Sequence, residues 1–132
     1  MTINSCVRPE HNLVILAHVG ETTDDEFLAF YKSLFECDSF DLSMNLLVDL
    51  READSSHRSS GALHRVAEFV REALGDVTTT PKVAVVAPRD ISFGLARMYE
   101  LFADSVPWDF VVFRSMETAL AWLRVPEDLI VS

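Results

Sequence analysis

The stretch LLVDLREADSSHRSSGALHRV, residues 46 to 66, decides how this chain is read. It opens on Leu46-Leu47-Val48, a short apolar run without polar alternation. It closes on Leu63 and Val66, the first members of a stripe that Ala67, Val70 and Leu74 continue at helical spacing. An unbroken apolar run of this length suits a strand buried on both faces, and the stripe suits a helix packed against it. Between them stand two serine pairs, Ser55-Ser56 and Ser59-Ser60, where a strand hands over to a helix start.

The same alternation runs through the rest of the chain. Leu13-Val14-Ile15-Leu16-Ala17, Val83-Ala84-Val85-Val86-Ala87 and Phe110-Val111-Val112-Phe113 are further short apolar runs rich in β-branched residues. After the first of them, Thr23 and Glu26 have capping-box spacing, and Phe27, Phe30, Tyr31 and Leu34 share a face, which predicts a helix from about Asp24 to Phe35. Gly75 is placed to end the second helix. The third opens at Asp90 with Ile91, Leu95, Met98 and Phe102 on one face; Ser115 caps a fourth, containing Ala119, Leu120, Trp122 and Leu123, that Pro126 closes. Thr2 to Val7 is expected to be an extra strand, turning through Arg8 to Asn12 into Leu13 to Val19. The order β-β-α-β-α-β-α-β-α predicts an α/β fold: one mostly parallel sheet of about five strands, four helices and right-handed crossovers.

Composition narrows the function classes. With 132 residues, 49% of them hydrophobic, residues 1–132 are expected to form a single domain. No apolar run is long enough to span a membrane, and no basic segment precedes an apolar one at the amino terminus, so a cytoplasmic protein without a membrane span is expected. A net charge of -10, from 21 acidic and 11 basic residues, repels phosphate backbones and argues against nucleic acid. Cys6 and Cys37 are too few for a disulfide framework, and the acids flanking Cys37 are expected to raise its thiol pKa. His57 and His64 are seven residues apart, outside the usual helical metal spacing, so no metal is expected. Val19-Gly20-Glu21-Thr22 has a single glycine, so neither a P-loop nor a dinucleotide fingerprint is present and no cofactor is expected.

Three groups of residues could carry chemistry. Arg51, Arg89 and Arg114 each stand within a few residues of a strand exit, where helix amino termini also point, and together would make an anion pocket. The competing reading pairs each with an acid such as Glu52, Asp54, Asp90 or Glu117. The serines would serve a nucleophile elbow only with glycine on both sides, and Ser59-Ser60-Gly61 has it on one; no catalytic residue is assigned. His18, at a strand end, is read as structural. On the third helix Phe93 and Tyr99 exceed one stripe, and with Met98 and Phe102 they are candidates for a subunit interface or an apolar pocket.

In its element order, and in a strand ending Leu47-Val48-Asp49-Leu50 followed by serines before a helix, the chain resembles the STAS fold. It looks closest to the SpoIIAA-like, or SEC14-like, group of small bacterial proteins. The resemblance implies a non-catalytic regulatory module that binds a protein partner or its own copy as a homodimer. It also implies a phosphorylatable serine between a strand and the second helix; Ser59 and Ser60 lie nearest that position, then Ser55 and Ser56. The motif is split here, because Asp54-Ser55-Ser56 is followed by His57 and Ser59-Ser60-Gly61 is preceded by Arg58. The SEC14-like side of the resemblance implies the alternative, a binder of a small anionic or amphipathic, lipid-like ligand at the carboxyl ends of the strands.

Overall fold

The structure is a computed structural model, and it describes residues 2–56, 58–75, 80–104 and 106–129. Five strands and four α-helices follow one another as β1 (Thr2–Arg8), β2 (Leu13–Glu21), α1 (Asp24–Glu36), β3 (Asn45–Asp54), α2 (Ser60–Leu74), β4 (Lys82–Val86), α3 (Asp90–Phe102), β5 (Asp109–Phe113) and α4 (Met116–Leu123). They build one sheet in the order β1-β2-β3-β4-β5, with β1 antiparallel to β2 and all other pairs parallel. The predicted α/β class, element order and mostly parallel sheet are the observed ones.

Strand order and handedness together determine where the helices go. β2, β3, β4 and β5 are laid down in one direction, so right-handed crossovers deliver α1, α2 and α3 to the same face. The pleat separates two cores accordingly. Val14, Leu16, Leu46, Val48, Val83 and Val85 point towards α1–α3 and meet Tyr31, Leu63, Val66, Val70, Ala96 and Tyr99. Leu13, Leu47, Ala84 and Val86 point the other way and meet Ala119, Leu120 and Leu123 of α4. A strand covered on both faces has no polar side, which is why these runs read as unbroken.

Three of the four α-helices, α1, α2 and α4, start on a side-chain cap. Thr23 Oγ1 accepts from Glu26 N at 3.2 Å while Thr23 N donates to Glu26 Oε1 at 3.0 Å, a complete capping box. Ser59 Oγ accepts from Ala62 N, and Ser115 Oγ from Thr118 N. At the other end of α2, Gly75 caps in the right-handed region at φ -56, so its freedom to go left-handed is not used there. Arg124, at φ 61, makes the left-handed cap of α4 just before Pro126.

Two expectations are corrected. β3 extends to Asp54, so Arg51 lies inside the strand and not beyond its exit. The extension passes a bulge: Ala17 pairs with Asp49 and Val19 with Glu52, which gives β3 one extra residue and turns the following side chains over. On α3 the buried residues are Ser92, Ala96 and Tyr99, a stripe displaced from the predicted one; Ile91 is 58% exposed. Small Ser92 and Ala96 let α3 approach the sheet, and the approach leaves Ile91 outside.

Candidate functional site

A cavity of about 90 Å³ lies between the sheet and the layer of α1, α2 and α3. Its walls are mostly apolar: Leu46, Val48, Val83 and Val85 from the strands, Leu63 and Val66 from α2, Ala96 and Tyr99 from α3. Towards the carboxyl ends of β2 and β3 the lining turns polar, with His18, Thr22, Tyr31, Ser55, Arg58 and Ser92. Towards the start of β5 it is closed by an aromatic group, Tyr99, Trp108 and Phe110, with ring centroids 5.4 to 6.1 Å apart. Trp108 Nε1 is buried there and has no hydrogen-bond partner among the described residues, an unspent donor on a lining side chain.

The local folding of the polar end follows from the elements. Val14, Leu16 and His18 alternate on one side of β2, so His18 points into the same layer as the core valines and leucines. It is 4% exposed, and its Nε2 sits 3.3 Å from the Tyr31 hydroxyl, which α1 brings down between Phe27 and Leu34. Burial, helped by the positive charge of Arg58 and opposed by Asp49, pushes the His18 imidazole down to about 4, so the ring is neutral at pH 7. Burial likewise holds the phenols of Tyr31 and Tyr99 above their ordinary value, so both remain protonated.

Arg58 closes this end. Its side chain is 8% exposed, its Nη1 donates to Asp24 Oδ1 at 2.9 Å, and its guanidinium lies 4.0 Å from the centre of the Phe27 ring. The other oxygen of Asp24 accepts from Ser59 Oγ at 2.7 Å. The starts of α1 and α2 are therefore tied by one carboxylate. Burial pushes the Asp24 carboxyl up, but the hydrogen bonds from Ser59 and Arg58 outweigh it and leave it below its ordinary value. Beside the clamp, Ser92 Oγ donates to Ser55 Oγ at 3.0 Å and ties α3 to the end of β3.

The residues predicted to act are distributed as follows. Arg51 is held by Asp49 through two bonds of 3.0 and 2.9 Å. Arg114 donates to Asp90 at 2.6 Å and to the Pro88 carbonyl at 3.1 Å, and its guanidinium lies over Phe93. Arg89 donates to the Ala53 carbonyl at 3.2 Å. The three do not share a pocket. Arg89 does line a second cleft of about 230 Å³ between the end of β3 and the start of α3, but Asp54 and Asp90 line it too, so its charge is not that of an anion site. Among the candidate serines, Ser59 caps α2, Ser60 is exposed in its first turn, Ser56 bonds Asp54, and Ser55 faces the cavity. Of the four α3 residues only Tyr99 lines the cavity; Phe93 lies under Arg114, while Met98 and Phe102 pack partly buried against the main core. His57 lies outside the described residues.

Tyr31, Arg58 and Trp108 are cavity residues that the sequence does not single out, and His18 is one that it reads only as structural. For His18 a signal existed, since the period of two from Val14 through Leu16 places it inward. Cys37 is a correction: hydrogen bonding from Ser39, 3.1 Å away, holds its thiol below the ordinary value and outweighs the neighbouring Asp38. Among the described residues no group of three His, Cys, Asp or Glu is placed to hold a metal ion, and no helix is long and apolar enough to cross a membrane. In comparison with known proteins, no family model matches the chain and no curated protein matches it either.

Proposed function

We propose that this chain is a non-catalytic binding module that takes a small, largely apolar molecule into the cavity beneath α1, α2 and α3. The observation that carries the reading is the cavity itself. At about 24 cal/mol per Å³, an apolar space of 90 Å³ left unfilled costs up to about 2 kcal/mol of stability, a sizeable share of what holds a domain of this size together. Most of the polar groups are gathered at one end, with Trp108 Nε1 alone at the other, which suits a ligand with two unlike ends. Titration of the labelled protein with benzene tests the proposal. Saturable amide shifts at Val48, Val66, Ala96 and Tyr99 are expected, and their absence at the solubility limit would refute it.

The protein-contact reading that the SpoIIAA-like resemblance implies is favoured by a separate observation. Ile91 and Leu101 are 58% and 77% exposed, nearly three turns apart on α3, and offer apolar surface to a partner or a second copy. Sedimentation of the wild type and of Leu101→Glu tests it. A dimer that the substitution dissolves supports this reading, and a monomer at all concentrations removes the homodimer.

A further inference from the structure

Two charged side chains line the polar end of the cavity, and neither favours an anionic ligand: Asp54 is itself a carboxylate, held by Ser56, and Arg58 is already paired. Arg58, its one guanidinium among the described lining residues, is engaged at 2.9 Å by Asp24, which also accepts from Ser59. An entering carboxylate or phosphate would leave water and face a carboxylate already paired to the nearest cation. What remains is a set of neutral hydrogen-bonding groups. The Tyr31 hydroxyl can donate and accept, and its bond to His18 occupies one of these capacities. Ser55 accepts from Ser92 and keeps its own proton to donate. At the far end, Trp108 offers one more donor without a partner among the described residues.

Size limits the other part of the molecule. A dry cavity of about 150 Å³ holds one benzene, and each water in the liquid occupies about 30 Å³. A space of 90 Å³ therefore takes one small ring after slight widening, or a short branched chain, and has no room for a long acyl chain. From these two constraints we propose that the ligand is a small uncharged molecule with a single ring or short alkyl body and one hydroxyl or carbonyl group. That group bonds to Tyr31 and Ser55, and carboxylates, phosphates and long-chain lipids are excluded. The inference rests on the cavity reading above and narrows it to a chemical class.

Binding of benzene, phenol and benzoate to the full chain at pH 7, followed by amide shifts and calorimetry, tests the class. The three probes share a ring and differ in one group. Phenol is expected to bind about tenfold more tightly than benzene, the gain of a hydrogen bond to a preformed partner, and benzoate at least tenfold more weakly than phenol. Tyr31→Phe and, separately, Ser55→Ala should each reduce phenol towards the benzene affinity and leave benzene itself unchanged; the second keeps the test valid if the first does not fold. Benzoate binding as tightly as phenol, or phenol no better than benzene, would overturn the assignment while leaving the cavity reading intact. Failure of all three probes, benzene included, would overturn both.

Discussion

Replacing His18 by phenylalanine is expected to flatten the fall in stability between pH 7 and pH 5. The imidazole is 4% exposed and sits at about 4 in the folded chain, against an ordinary 6.5, with burial the largest cause, Arg58 adding to it and Asp49 opposing. Because the folded value is the lower one, the unfolded chain takes up the proton first as pH drops. The stability present at neutral pH is therefore lost progressively from about pH 6.5 down to about pH 4. With those two values, linkage gives a loss of about 2 kcal/mol between pH 7 and pH 5 and roughly 3 kcal/mol in all. Asp24, Glu26 and Asp41 are held below their ordinary values, so their stability too is lost on acidification, but mainly below about pH 5. Urea unfolding at pH 7, 6 and 5, read by tryptophan fluorescence and circular dichroism, isolates the histidine. The phenylalanine keeps the packing on Phe27 and Tyr31, so the variant should be nearly flat across that window. Parallel losses in the two proteins would refute the buried, neutral histidine.

Three further perturbations follow from the same geometry. Ala96→Leu adds three carbons to the cavity, each worth up to about 0.8 kcal/mol on burial, so it should stabilise by about 1–2 kcal/mol, raise Tm by several degrees and abolish benzene binding; a fall in Tm would show that the space is not free. Asp24→Asn leaves the Arg58 guanidinium without its carboxylate and should cost roughly 1–3 kcal/mol in urea unfolding. That cost should largely disappear in an Arg58→Met background, and an undiminished cost there would contradict the clamp. Alkylation of Cys37 by iodoacetamide should have a pH midpoint below that of a free thiol, and a midpoint at or above it would remove the Ser39 hydrogen bond as its cause.

What could be read from the chain, and what could not, divides along a physical line. Strand identity, helix caps and element order follow from local signals: the unbroken runs at Leu13, Leu46, Val83 and Phe110, the Thr23–Glu26 box, Ser59 and Ser115 before apolar stripes. The length of β3 does not, because Arg51, Glu52 and Asp54 have no strand signature and are drawn into the sheet by pairing with β2 across a bulge. The rotation of α3 does not either. Ser92 and Tyr99 face inward because they fit beside the sheet, and the side of a helix with the most apolar residues is not the side that fits. Arg58 and Asp24 are 34 residues apart, and only the packing of α1 on α2 brings them within 2.9 Å. A cavity is harder still to foresee, since it is a difference between volumes contributed by separate elements.

The arginines at the strand exits and the cavity under the helices are alternative outcomes of one topological choice. In doubly wound sheets the strand order reverses, neighbouring helices go to opposite faces, and a crevice opens at the carboxyl edge where charged residues and helix starts converge on a ligand. Here the order never reverses, so α1, α2 and α3 lie side by side on one face, and the cleft at the carboxyl end of β3 holds Asp54 and Asp90 beside Arg89 instead of a convergence of positive charge. Arg51 and Arg114 instead pair with Asp49 and Asp90. The same one-sided layer must cover β2 to β5 with only three helices. Gly20, Ala53 and Ala96, with little or no side chain, line the space beneath it, volume is left over there, and Arg58 lines one end of it and Trp108 the other. The candidate site thus lies under the helices and not at the edge of the sheet, and its hydroxyl groups, from Tyr31, Ser55 and Ser92, are neutral where the sheet edge carries exposed charge.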